Sequence, residues 1–273
     1  MRVYEIPEGG KTSKGRAIQN LINIEQDDKV KAFLVTEDLK DEDYVNSHYI
    51  IMATKEGQVK KTSLEQYSRP RTNGINAITI KEGDELLEAK LTTGDSQVML
   101  AVKSGKAIRF EEEKTRPMGR NASGVRGIRL ANKKDEVIGM ITVDDLNSNI
   151  LVVSENGYGK QSSIEDYRIT NRGGKGVKTI SITEKTGNLV AIKNVTDEDD
   201  LMIINKSGIT IRLAVTDLRV MGRATQGVKL INIKNDDSIA AVAKVTHEEE
   251  EEIDDVENGT EIENNNKEST NNE

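Results

Sequence analysis

Cations recur beside glycine in this chain, at a spacing suited to cradling phosphate. The segments are Lys14-Gly15-Arg16; Arg69 and Arg71 ahead of Gly74; and Arg116 and Arg120 ahead of Gly124, with Arg126 behind it. They continue with Arg168, Arg172 and Lys175 ahead of Gly176, then Arg219 and Arg223 ahead of Gly227, with Lys229 behind it. Lys and Arg neutralise phosphate charge, and glycine lets main-chain N–H groups approach an oxygen closely. A lone Arg on a loop is ordinarily just solvated. Return at one register is what gives these cations a meaning.

Other chemistry is scarce. There is no Cys, which removes disulfides, thiolate nucleophiles and most structural zinc. Two His, His48 and His247, cannot supply a metal cluster, and no nucleophile elbow, P-loop or calcium-loop spacing occurs. Gly157-Tyr158-Gly159 lacks the third glycine of a dinucleotide fingerprint and reads as a hairpin turn. No catalytic residue and no metal site are expected. The first residues lack a signal-peptide apolar stretch and nowhere do 18 apolar residues run together, so a soluble, cytoplasmic chain is expected.

The elements that would position the cations are repeated as well. Apolar strands beginning at Tyr49, Val98, Ile150 and Leu201 each run into a turn glycine, at 57, 105, 157 and 208, spaced 48, 52 and 51 residues apart. A second strand rich in Lys or Arg follows. A second glycine comes 17 or 19 residues after the first, at 74, 124, 176 and 227, followed at once by the β-branched Ile75, Val125, Val177 or Val228. A polar turn such as Glu82-Gly83-Asp84 then leads to a last strand. Repeats of about 46–95, 96–147, 148–199 and 200–247, preceded by a partial one over 1–45, each hold four short strands. Helix is hard to place beyond a turn at Ser63-Leu64-Glu65-Gln66-Tyr67. The expected fold is all-β, a propeller-like ring of four-stranded blades; a β-solenoid is the alternative, with normally shorter repeats. Cations at one point of every blade would then form a positive rim.

The ends differ from the middle. Residues 1–36 match only the later part of the repeat, with Val3-Tyr4 resembling the second hairpin strand and Gly15-Arg16-Ala17-Ile18 the later glycine and strand. The chain therefore reads as a piece of a longer polypeptide or a gene model begun at an internal Met. An acidic insertion, 37–47, accounts for the 59-residue spacing from Gly15 to Gly74. Residues 248–273 carry twelve acidic side chains and one Lys, a net of −11 within a whole-chain charge of −8, which leaves +3 on residues 1–247. With almost nothing to bury, this tail is expected to be disordered, either as a solubilising appendage or as a competitor with polyanions for the basic body.

The runs Lys14-Gly15-Arg16-Ala17-Ile18-Gln19-Asn20-Leu21, Met118-Gly119-Arg120 through Gly124-Val125-Arg126-Gly127-Ile128-Arg129-Leu130, Asn156-Gly157-Tyr158-Gly159-Lys160, and Gly222-Arg223-Ala224-Thr225-Gln226-Gly227-Val228 resemble the C-terminal domain of DNA gyrase A. The similarity extends over residues 1 to about 246. It implies a six-bladed β-pinwheel, its first blade incomplete here, whose neighbouring blades exchange a strand and whose outer rim bends duplex DNA. The catalytic tyrosine, the ATP and Mg sites, and the contacts to gyrase B and to a second copy of gyrase A would lie in regions this chain does not contain. The family's signature heptapeptide, Gln-Arg-Arg-Gly-Gly-Lys-Gly, would precede Met1; a partial copy stands in a later repeat as Arg172-Gly173-Gly174-Lys175-Gly176. Few Asn, Gln or aromatic residues accompany the cations, so DNA binding should be sequence-neutral. The related domain of topoisomerase IV is the close alternative, and a propeller used as a protein-interaction scaffold is the alternative from another class. A nucleoid-associated place in the cytoplasm, with no membrane contact, completes the expectation.

Overall fold

The structure is a computed structural model, describing residues 3–246 except 11, 23, 25–27, 72, 235 and 236. The acidic tail expected at 248–273 lies outside the described residues.

Each repeat supplies three long strands. The first gives β1 (Tyr49–Thr54), β2 (Gln58–Ser63) and β3 (Leu86–Thr92). The second gives β4 (Gln97–Val102), β5 (Lys106–Glu111), a two-residue β6 (Val125–Arg126) and β7 (Val137–Val143). The third gives β8 (Asn149–Ser154), β9 (Tyr158–Ser163), β10 (Val177–Lys178) and β11 (Leu189–Val195). The fourth gives β12 (Asp199–Asn205), β13 (Thr210–Ala214), β14 (Val228–Lys229) and β15 (Ile239–Thr246).

The sheets do not coincide with the repeats. Their orders are β3-β1-β2-β6, β7-β4-β5-β10, β11-β8-β9-β14 and β15-β12-β13. Thus the short strand behind Gly124, Gly176 and Gly227 leaves its own repeat and pairs antiparallel with the hairpin of the repeat before, Val125 opposite Val59, Val177 opposite Ala107 and Val228 opposite Gly159, whereas the strand expected after Gly74 does not form. The all-β pinwheel is therefore present, blade by blade, with neighbours stitched by an exchanged strand. The fourth sheet has three strands, and among the described residues of 3–36 the regular elements are 3-10 turns, Val3–Glu5 and Ile18–Asn20, where strands were expected. The physical reason is pairing. A strand in water needs a partner, and the described chain offers these segments no hairpin to join.

The second glycines have a clear task. Gly124, Gly176 and Gly227 take φ of +88°, +69° and +81°, and a Cβ there would fall 2.5–2.6 Å from the main-chain oxygen of Val59, Ala107 or Gly159. Only glycine lets the exchanged strand both turn and lie that close to the preceding hairpin.

The cores lie between blades. Val59 and Ile51 of the first sheet pack with Leu100, Ile108, Phe110 and Met140 of the second. Met99 and Ile141 meet Ile150, Val152, Ile164 and Tyr167 of the third, and Leu151 and Val153 meet Leu201, Ile203 and Val215 of the fourth. Burial on both faces explains why the inner hairpin strands read as unbroken apolar runs, such as Val98 to Val102, instead of alternating. Phe110 is fully enclosed, so Phe110→Ala would cost about 3–5 kcal/mol. The outward face of the first sheet is covered by residues ahead of it, including a helix not foreseen from the sequence, α1 (Glu42–Ser47), inside the acidic insertion. Asp41 caps it, accepting from the Asp43 and Tyr44 amides at 3.0 and 3.2 Å.

Candidate nucleic-acid interface

The rim is built by the same backbone bonds in three successive blade pairs. The amides of Met118, Thr170 and Met221 donate to the main-chain oxygens of Lys61, Arg109 and Gln161, at 2.8, 2.9 and 2.8 Å. The amides of Gly127, Thr179 and Leu230 donate to the turn-glycine oxygens of Gly57, Gly105 and Gly157, at 2.8, 2.9 and 2.8 Å. Between these two anchors runs a loop that crosses the outside of the preceding hairpin. It carries the cations from Arg120, Arg172 and Arg223 to the exchanged strand, while Arg116, Arg168 and Arg219 stand two residues before the first anchor.

The side chain at the first anchor adds an inter-blade latch. Arg109 Nη1 donates to the Ile164 and Tyr167 oxygens at 2.8 and 3.0 Å. Gln161 Nε2 donates to those of Val215 and Leu218 at 2.7 and 2.8 Å. Lys61 instead meets the buried Glu112 carboxylate at 2.9 Å. Burial lowers the Arg109 pKa, an effect that leaves a guanidinium charged. Arg109, within the Lys/Arg-rich second strand of its repeat, is thus a structural cation.

Three aligned tracks emerge. Arg116, Arg168 and Arg219 each stand two residues past the 3-10 turn of their repeat and are exposed. Arg126 and Lys229 stand exposed on the exchanged strands. Arg120, Arg172 and Arg223 are half-buried and share one contact. Each guanidinium reaches back to the main-chain oxygen two residues past the second glycine of the preceding repeat: Arg120 to Asn76 at 3.2 Å, Arg172 to Arg126 at 3.2 Å, Arg223 to Lys178 at 2.7 Å. Arg172 also donates from Nε to the Lys114 oxygen at 2.9 Å.

The remaining expected cations are exposed, and of these Arg69 also stands two residues past its 3-10 turn, Leu64–Tyr67, while the others lie outside the tracks. Lys175 has Ser123 and Gln226 as its counterparts. Arg69 and Arg71 sit on a loop two residues shorter than the others, and Lys14 and Arg16 lie in irregular backbone before the first sheet.

A family model described as the DNA gyrase C-terminal domain, a beta-propeller, matches residues 1–37, 48–93, 97–144, 148–196 and 199–246. The chain belongs to the DNA gyrase C-terminal domain family. The A subunit of DNA gyrase from Staphylococcus aureus (strain NCTC 8325) is 43% identical to it over 262 residues, covering 95% of this chain and 29% of that protein. Its counterpart from strain MRSA252 is 44% identical over 257 residues, 93% of this chain and 28% of that one. The chain thus spans less than a third of the length of these relatives. Among solved structures, the C-terminal domain of DNA topoisomerase IV superposes with a TM-score of 0.81 at 22% identity, over 89% of this chain and 74% of that chain. A gyrase A C-terminal domain gives 0.75 at 23%, over 89% and 77%. At such identities these two speak for the fold alone.

In this gyrase-type domain, sequence reading missed Lys178. It occupies the exchanged-strand position of Arg126 and Lys229 and is exposed like them. The signal was available, since Lys178 stands two residues after Gly176, as Arg126 does after Gly124. Also missed were Lys60 and Lys160, which are wholly buried under the rim despite their charge. Among the described residues, no group of His, Asp or Glu is placed to hold a metal ion, and no helix is long and apolar enough to cross a membrane.

Proposed function

We propose that the chain binds and bends duplex DNA of any sequence, as the C-terminal part of a type II topoisomerase of the gyrase kind. The observation that carries this reading is the alignment of Arg116 with Arg168 and Arg219, and of Arg126 with Lys178 and Lys229, at one register of successive blades. A straight patch could hold a phosphate backbone; cations repeated from blade to blade follow a curved path. Bending stiff duplex costs on the order of several kcal/mol, offset only by contacts spread along the bend. The 43% identity to gyrase A favours gyrase over topoisomerase IV as the parent.

On this reading residues 1–247 form the DNA-binding body and 248–273 a separate acidic tail. Lys14, Arg16, Arg69, Arg71 and Lys175 add charge around the tracks. Strand passage, ATP and Mg use, and contacts with gyrase B and a second copy of gyrase A belong to the remainder of the parent, which works on the nucleoid in the cytoplasm.

The test is a salt titration of duplexes of unrelated sequence. Affinities should agree between sequences, and engagement of six phosphates would give a log–log slope of about −5. A salt-independent or strongly sequence-selective isotherm would sink the reading and leave the scaffold alternative.

A further inference from the structure

The third residue after each turn glycine alternates along the chain: Lys60, Ile108, Lys160, Ile211. Lys60 and Lys160 are fully buried in the hairpins, as Ile108 is at the same register. Ile108 packs under Gly174 of the rim loop above it, 3.4 Å from where that residue's Cβ would be. The two lysines meet their loops differently. Lys60 Nζ donates to the Arg120 oxygen at 2.6 Å and to that of Ala77. Lys160 Nζ donates to the Gly222 oxygen at 2.6 Å and to Thr225 Oγ1 at 3.1 Å. Both loops above lysine begin Met-Gly-Arg, at 118–120 and 221–223, whereas the loop above Ile108 reads Thr170-Asn171-Arg172-Gly173-Gly174.

A buried ammonium is costly. Burial first, and the charge of Arg120 second, bring Lys60 down to about 8. For Lys160 burial again leads, Asp166 opposes it, Arg223 adds to it, and the result is again about 8. Since Ile108 shows that the blade closes with an aliphatic side chain at this point, the charge is not there to hold the blade. What it holds is the main-chain oxygen of a rim arginine, Arg120, or of the residue just before one, Gly222.

We propose that Lys60 and Lys160 are positioning residues for the rim, fastening the Met-Gly-Arg loops from below so that Arg120 and Arg223 meet DNA at a set height. This rests on the DNA-binding reading above. The two lysines add nothing to the rim's exposed charge, being enclosed. Their contribution is the order of the loop, which would otherwise have to be frozen when DNA binds.

The test uses the full chain with Lys60→Met and Lys160→Met together, with Arg120→Ala and Arg223→Ala together, and with all four. Duplex affinity at low salt, bend angle by end-to-end energy transfer, Tm, and amide exchange in the rim loops are measured. Replacing the lysines should weaken DNA binding roughly three- to tenfold and reduce the bend, with Tm unchanged or higher. Exchange should speed up at 119–122 and 222–225 but not at 171–174. The lysine effect on DNA should vanish once the two arginines are gone, because coupled residues are not additive. Unchanged affinity, or an equal loss with and without the arginines, would overturn the proposal. If the double variant does not fold, Lys60→Met alone serves, with the 222–225 loop as internal reference. If the parent itself does not bind DNA, the rim reading fails, and loop exchange alone still decides the fastening.

Discussion

The Arg223 guanidinium donates to the main-chain oxygen of Lys178, 2.7 Å away, across the boundary between two repeats. Arg172 and Arg120 make the same reach to Arg126 and Asn76. One track of rim arginines therefore belongs partly to the fold, while its neighbour, Arg116, Arg168 and Arg219, faces solvent.

This difference separates two kinds of arginine by experiment. Arg168→Ala should weaken DNA binding and reduce the salt slope by about 0.9, leaving urea unfolding within about 0.5 kcal/mol of the parent. Arg223→Ala should do the same to DNA binding and also cost about 1 kcal/mol of stability, because an inter-repeat hydrogen bond goes with it. Equal stability of the two variants would mean that the reach to Lys178 carries no weight in the fold.

Glycines at equivalent sequence positions should differ in importance. Gly176→Ala places a Cβ 2.5 Å from the Ala107 oxygen at φ +69°, so both strain and clash act, and a loss above about 2 kcal/mol is expected. At Gly74, φ is +79° but nothing lies within 4 Å, so Gly74→Ala should cost only about 1–2 kcal/mol. Denaturant midpoints of the two variants make the comparison.

The lysines under the rim give a pH signature. Lys60 and Lys160 stand at about 8 in the folded chain against 10.5 for an ordinary lysine, so between these values the unfolded chain holds more protons. Stability from these two groups should therefore rise as pH increases from about 8 towards 10.5, and be lost again as pH falls to 8. Burial raises Tyr67 and Tyr167 above the usual phenol value, and their ionisation in the unfolded chain opposes the gain near pH 10. The clear window is thus pH 8 to about 9.5. Lys193, also lowered by burial, contributes in the same direction. Thermal melts across this window should show the rise for the parent and a shallower one for the Lys60→Met, Lys160→Met pair.

The tail makes a salt-dependent prediction from charge alone. Twelve acidic residues tethered to a basic body should compete with DNA at low ionic strength. Removing 248–273 should tighten binding, by a margin that shrinks as salt is raised. Equal affinities for both lengths of chain at every ionic strength would assign the tail to solubility.

Much of this protein was legible as pattern. Glycine pairs every fifty residues mark turns and close approaches that no other residue tolerates, so Gly124, Gly176 and Gly227 announce the repeat and the strands around them. The exposed cations beside them are equally readable, because a side chain in solvent keeps the character its type suggests. Partnership across space is not written locally. Val125, Val177 and Val228 look like strands of their own repeats, and only the packed structure places each on the blade before. Lys60 and Lys160 share the Lys/Arg-rich second strand with the rim's apparent charge, yet tertiary structure encloses them. Whether such an ammonium faces water or a main-chain oxygen depends on the loop that another repeat lays over it, some sixty residues further along the chain.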